Sequence, residues 1–114
     1  LFPDDSFDNV TFFYTLMYMT TEEQQKSIRE AARVLKAGKW MHIWDCDICS
    51  AYPEPFVIDL DIKSGTHKIH TAYGIVKRDA QSSDSIVHLL ENAGLRIESL
   101  QEKDGQFHIQ CRKG

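Results

Sequence analysis

No apolar run in this chain approaches the roughly 20 residues that a membrane-crossing helix needs, and no signal peptide is visible. The chain therefore reads as cytoplasmic, with no membrane partner expected. Glycine is scattered: Gly38, Gly65, Gly74, Gly94, Gly105 and Gly114 each stand alone, so no glycine-rich loop brings backbone up against a ligand. Cysteine is sparse and odd in number, with Cys46, Cys49 and Cys111 only, which suits reduced thiols better than a secreted disulfide framework. The net charge of −4 comes from interleaved acids and bases, leaving no broad basic face for a nucleic-acid backbone. Nucleic acid is excluded as an expected partner on that ground.

What is present is ordinary for a folded domain. At 114 residues, with 42% hydrophobic and 26% charged residues, one compact core is expected and a second domain does not fit. The run "DNVTFFYTLMYM" is almost continuously apolar and β-branched, the mark of a strand covered on both faces. That strand is expected over about Asn9 to Tyr14. In "TTEEQQKSIREAARVLKAGK", Thr20 with Glu23 or Thr21 with Gln24 has capping-box spacing, and Ile28, Ala31, Ala32 and Leu35 form a helical stripe. Lys36 and Gly38 supply a cation and a left-handed stop. "KWMHIWDCD" follows as a second buried strand, giving a right-handed parallel βαβ unit.

From Phe56 to Val76 the pattern changes to alternation around a Ser64-Gly65 turn, an inserted antiparallel hairpin. That turn sets Asp61 opposite Lys68, Leu60 opposite Ile69 and Asp59 opposite His70. The hairpin is either a decoration or a lid or substrate wall. "SSDSIVHLLENAG" is a second helix capped by Ser82 or Ser83, with Ile86, Leu89, Leu90 and Ala93 on one stripe and Gly94 as its stop. The chain then closes in a hairpin around Asp104-Gly105, with Leu100 opposite Ile109.

"LFPDDSFD", the strand after it and "IREAARVLKAGKWMHIWD" together resemble the second half of class I S-adenosylmethionine-dependent methyltransferases. Members typically carry a "PFxxxSFD" turn, a strand, a helix ending "ARVLKPGG" and a strand ending in an acid. The final helix, "NAGL" and the closing hairpin match the end of that fold. The resemblance implies an α/β fold: the C-terminal half of a Rossmann-like sheet over residues 1–114, with the hairpin 56–76 inserted. It implies S-adenosylmethionine as cofactor of the complete domain and methyl transfer to a small molecule. The glycine-rich loop and the ribose-binding acid would lie in an N-terminal half that this chain lacks, so the chain alone is expected to be inactive.

The resemblance further implies cofactor contacts at Leu1, Phe2 and Pro3, in the turn matching the one along the adenine. Tyr14 and Thr15 join them at the carboxyl end of the strand, where ligands of open α/β sheets bind. Many members carry histidines where this chain has Met17 and Tyr18. Tyr18, Asp45 and Asp47 are the candidates for a catalytic group, with Asp45 and Asp47 equally suited to capping the turn after their strand. "CDIC" has the spacing of a redox or zinc pair, but with no second pair and no matching histidines it reads as inert thiols. No metal is expected. His42 alternates with Trp40 and Trp44 and reads as packed, whereas His67 and His70 read as surface residues.

In the family's sheet the strand Asn9 to Tyr14 lies beside the first strand of the missing half. Its edge would carry unpaired amides and need a partner: that half, another chain, or a second copy in a homodimer. A non-catalytic half-domain that docks through this edge is the alternative to a methyltransferase.

Overall fold

A computed structural model describes residues 2–49, 54–75 and 79–114, the side chains of Phe56, Leu60, Ser64 and Tyr73 excepted. The chain forms β1 (Phe7–Phe13), α1 (Thr21–Val34), β2 (Leu35–Cys46), β3 (Phe56–Ser64), β4 (His67–Ile75), α2 (Ser83–Asn92), β5 (Leu95–Lys103) and β6 (Gln106–Lys113). A four-stranded sheet takes the order β1-β2-β6-β5, and β3-β4 form a sheet of their own. β1 and β2 run parallel, β6 is antiparallel to both β2 and β5, and the architecture is the expected α/β one.

Both helices start where their side chains can satisfy the free amides. Thr20 caps α1 in a capping box with Glu23, and Ser82 caps α2 in one with Ser85. Their apolar stripes cover one face of the sheet. Ile28, Ala31 and Ala32 of α1 and Ile86 and Leu90 of α2 meet Met41 and Ile43 of β2 and Phe107, Ile109 and Cys111 of β6. Each large aliphatic side chain buried there contributes roughly 1.5–3 kcal/mol relative to exposure.

The opposite face corrects the expectation of a strand buried on both sides. β1 leaves Asn9, Thr11 and Phe13 exposed, with Phe13 at 66%, because no described helix covers that face. Half-buried aromatics line it instead: His42 stacks between Trp40 and Trp44, and Trp44 on His108 at 4.1 Å. His42 is thus packed, as its alternation predicts.

Two turns also differ from expectation. α1 ends at Val34 with an extended Leu35, not at Gly38, because the amides of Asp5 and Ser6 reach back to the carbonyls of Arg33 and Val34. Gly38, at φ +76°, instead lies where β2 bulges between its pairings with Phe7 and Asn9. In the inserted hairpin the loop is Gly65-Thr66, one residue later than expected. Gly65 at φ +63° occupies the first loop position, which a type II′ turn reserves for glycine. Asp61 therefore faces His70, Leu60 faces Thr71, and Asp59 faces Ala72. The closing hairpin pairs Leu100 with Ile109 as expected.

Candidate functional site

Because β1 and β2 are parallel, their carboxyl ends share one edge, where the loops they feed converge. β1 ends at Tyr14, a non-glycine residue at φ 52°. That left-handed conformation costs on the order of 1 kcal/mol, and the Tyr14 amide, donating to Trp44 O at 2.7 Å, helps to hold it. The Tyr14 ring meets Phe13 edge-on and its hydroxyl donates to Gln106 Oε1 at 3.0 Å. Partial burial, then the nearby Cys46 and Asp45, push its phenol pKa up. The chain next makes a short 3-10 turn, Leu16–Tyr18, with Leu16 and Met17 buried.

Asp45, fully buried near the end of β2, ties these loops together. Its carboxylate accepts from the amides of Met17 at 3.2 Å and Cys46 at 2.8 Å and from Gln81 Nε2 at 3.0 Å. Gln81 Oε1 in turn accepts from Gln24 Nε2 at 2.7 Å, which also donates to Leu16 O. Backbone bonds between Ile48 and Gln81 close the network. Burial pushes the Asp45 pKa up, against the pull of its donors. With no solvent exposure, this side chain positions the Met17 loop. Asp47 is exposed and accepts from the amide of Ser83 at 3.3 Å, at the start of α2.

Above this network lies a cavity of about 420 Å³. Phe13, Tyr14 and Met17 line it from β1 and its loop, and Cys46 and Gln106 from β2 and β6. Ile58 and Ile62 of β3 form the remaining wall. The hairpin is held there by a small core in which Ile75 joins Met17 and Ile48, with Ile58, Tyr14 and Cys46 packed against it. The Cys46 thiol, pushed up to about 11 by burial and by Asp45 and Asp47, is a poor nucleophile at neutral pH.

The residues singled out in the sequence do not all come together. Phe2 and Pro3 precede β1, whereas Tyr14 and Thr15 follow it, so a strand of roughly 20 Å separates the pairs. Phe2 contacts Phe7, and its carbonyl accepts from Arg33. Leu1 lies outside the described residues. Tyr18 is 63% exposed and outside the cavity lining. Cys46, Cys49 and Cys111 are free thiols, and no cluster among the described residues could hold a metal ion. His70 is exposed, hydrogen-bonded to Asp61 at 2.7 Å. Sequence reasoning missed Phe13, Gln106, Gln81 and the hairpin isoleucines as site residues. Ile58 and Ile62, four apart in an alternating strand, carried the only signal, a shared face.

Residues 1–43 match the sequence family described as a methyltransferase domain. A comparison with curated proteins finds no match. In structure, the chain is similar to an S-adenosylmethionine-dependent methyltransferase from Clostridium acetobutylicum, at 14% identity and a TM-score of 0.65, covering 100% of this chain and 61% of that one. A second, from Mesorhizobium loti, has 12% identity and a TM-score of 0.65, with 97% and 63% covered. The SpnF cyclase shares the fold at 16% identity and a TM-score of 0.60, with 98% and 51% covered. This chain thus spans under two thirds of each neighbour's length. No helix among the described residues is long and apolar enough to cross a membrane.

Proposed function

We propose that this chain, which carries part of the Rossmann-like fold of the S-adenosylmethionine-dependent methyltransferases, is the substrate-side portion of such an enzyme, acting on a small molecule. The observation carrying the reading is the open-mouthed apolar cavity at the carboxyl edge of the parallel pair, the place where open α/β sheets bind their ligands. The fold alone would not suffice, since related folds host other chemistry. S-adenosylmethionine is the cofactor of the complete domain; when bound it supplies an electrophilic methyl group, displaced directly from sulfur by an aligned acceptor atom.

The residues present suit one wall of such a site. Thr15 is exposed and spends no side-chain bond on capping the turn it begins, so its hydroxyl is available to the cofactor. Tyr14, bent out of the strand at φ 52°, sets the border between cofactor and acceptor. Met17, Tyr14 and Phe13 exclude water on the acceptor side. Asp45 and Asp47 position loops, and Tyr18 is the remaining candidate for contact with a ligand. The glycines at positions 38, 65, 94 and 105 serve turns and a bulge at positive φ, so cofactor contacts of the glycine-rich kind must come from outside this chain.

Calorimetric titration with S-adenosylmethionine tests the reading. The protein as purified from its native source is expected to bind at micromolar concentration, about −8 kcal/mol, and the 114-residue chain alone a thousandfold more weakly, about −4 kcal/mol. Failure of the native protein to bind would overturn the reading, and micromolar binding by the chain alone would overturn the division of labour.

A second reading rests on the edge position of β1. Its outer edge has no strand partner among the described residues, which supports docking there of a further part of a longer protein or of a second copy. Light scattering of the 114-residue chain discriminates: a stable monomer argues against edge pairing, a dimer for it.

A further inference from the structure

The chemistry of the cavity narrows the acceptor. Its described walls are hydrocarbon and aromatic surface from Phe13, Met17, Ile58 and Ile62, with hydrogen-bonding side chains, among the described residues, at Tyr14, Cys46 and Gln106. Tyr14 spends its hydroxyl proton on Gln106 Oε1, so what remains on offer is chiefly the Gln106 amide N–H₂, a donor. Among the described residues no cationic side chain lines the cavity. Behind it sits the Asp45 carboxylate, held by the neutral N–H groups of Met17, Cys46 and Gln81. The field of that carboxylate is felt at Tyr14 and Cys46, where it resists a second negative charge. An anion entering here would lose its water, gain no ion pair from the described lining and face a carboxylate.

We infer that this cavity takes a neutral, largely apolar small molecule presenting a hydrogen-bond acceptor to Gln106, with the β3 face of the hairpin as its wall. The inference rests on the methyltransferase reading for calling that molecule the acceptor. The size agrees: about 420 Å³ lies within the range of pockets that bury a small organic ligand. Phe13 and Ile62 retain 66% and 46% exposure, apolar surface that such a ligand would cover.

Naphthol and naphthoate, which share a two-ring skeleton and differ in charge at neutral pH, are suitable probes. Titrated into protein with labelled isoleucine and methionine methyls, naphthol is expected to shift the signals of Ile58, Ile62 and Met17 and leave those of Ile43 and Ile109 in place. Naphthoate is expected to bind about tenfold or more weakly. Ile62→Lys, on an exposed position of the wall, should erase or reverse that preference. Val57→Lys places the same charge on the other face of β3, at a site 58% exposed, and should leave it unchanged. Equal or tighter binding of naphthoate to the unaltered protein, or shifts confined to other methyls, would overturn the inference. If the naphthol preference holds while S-adenosylmethionine fails to bind the native protein, the cavity chemistry stands and the methyl-transfer reading falls. If the cofactor binds and naphthoate is preferred, the reverse is true.

Discussion

At its amino edge the four-stranded sheet is clasped from outside by charge; at its carboxyl edge it is held from inside by one buried carboxylate. Arg33 spans the first, pairing with Asp4 at 2.6 Å and Glu30 at 2.5 Å and donating to Phe2 O at 2.7 Å. Lys113 adds Asp5 at 3.0 Å and Leu35 O at 2.7 Å. All these carboxylates are exposed, so water and salt compete for each bond. Asp45 makes fewer contacts, but in a place water does not reach. The larger set of exposed polar bonds thus fixes a replaceable turn at one edge, and a smaller, buried set fixes at the other the loops that shape a cavity.

Asp45→Ala should break the comparison most severely. It strands buried donors on Met17, Cys46 and Gln81, at a cost of about 3 kcal/mol in denaturant unfolding. A loss under about 1 kcal/mol would mean that water can take the carboxylate's place. The unaltered protein should also show a pH signature. Folded Asp45 holds its proton more tightly than the unfolded side chain, so stability falls as pH rises from its ordinary value of 3.8 through the raised one. Asp45→Ala should lack that decline.

Arg33→Ala, at the opposite edge, should cost under about 1 kcal/mol despite removing more hydrogen bonds, and less still at high salt. A loss matching that of Asp45→Ala would erase the distinction between the edges. The smallest effect belongs to His70 and Asp61, on the hairpin face turned away from the cavity. His70 should titrate above its ordinary 6.5 by NMR, because Asp61 bonds its charged form, and Asp61→Asn should return it toward 6.5. The pair's contribution is complete below 6.5 and lost as pH rises through the raised value.

How far the sequence could be read depended on how local the deciding interaction was. The caps at Thr20 and Ser82 and the Asp104-Gly105 turn are settled within four residues, and each stands where the sequence puts it. The end of α1 is not local: residues before β1 satisfy its last carbonyls, so the glycine signal at Gly38 misled. The inserted hairpin failed for a different reason. Moving its loop by one residue shifts each cross-strand partner by two positions, which leaves every side chain on the same face. Alternation cannot tell the two registers apart, and only the glycine preference of the first loop position does.

The candidate site was legible as an edge rather than as a set of residues. Tyr14 lines the cavity, just past the end of β1, whereas Thr15 lies outside its lining. Gln106 was not legible, being one polar residue after a turn, brought to Tyr14 across 92 positions of sequence.

The sequence by itself determined the helices, the parallel strand pair and the closing hairpin, which arise from periodicity, capping and short-range turn chemistry, and its motifs carried the resemblance to methyltransferases. Only the tertiary structure decided that Asp45 is sealed in, that Phe2 and Tyr14 lie at opposite edges, and that hairpin and sheet together line an apolar cavity. Those outcomes depend on which distant segments exclude water from one another, and no local pattern encodes that.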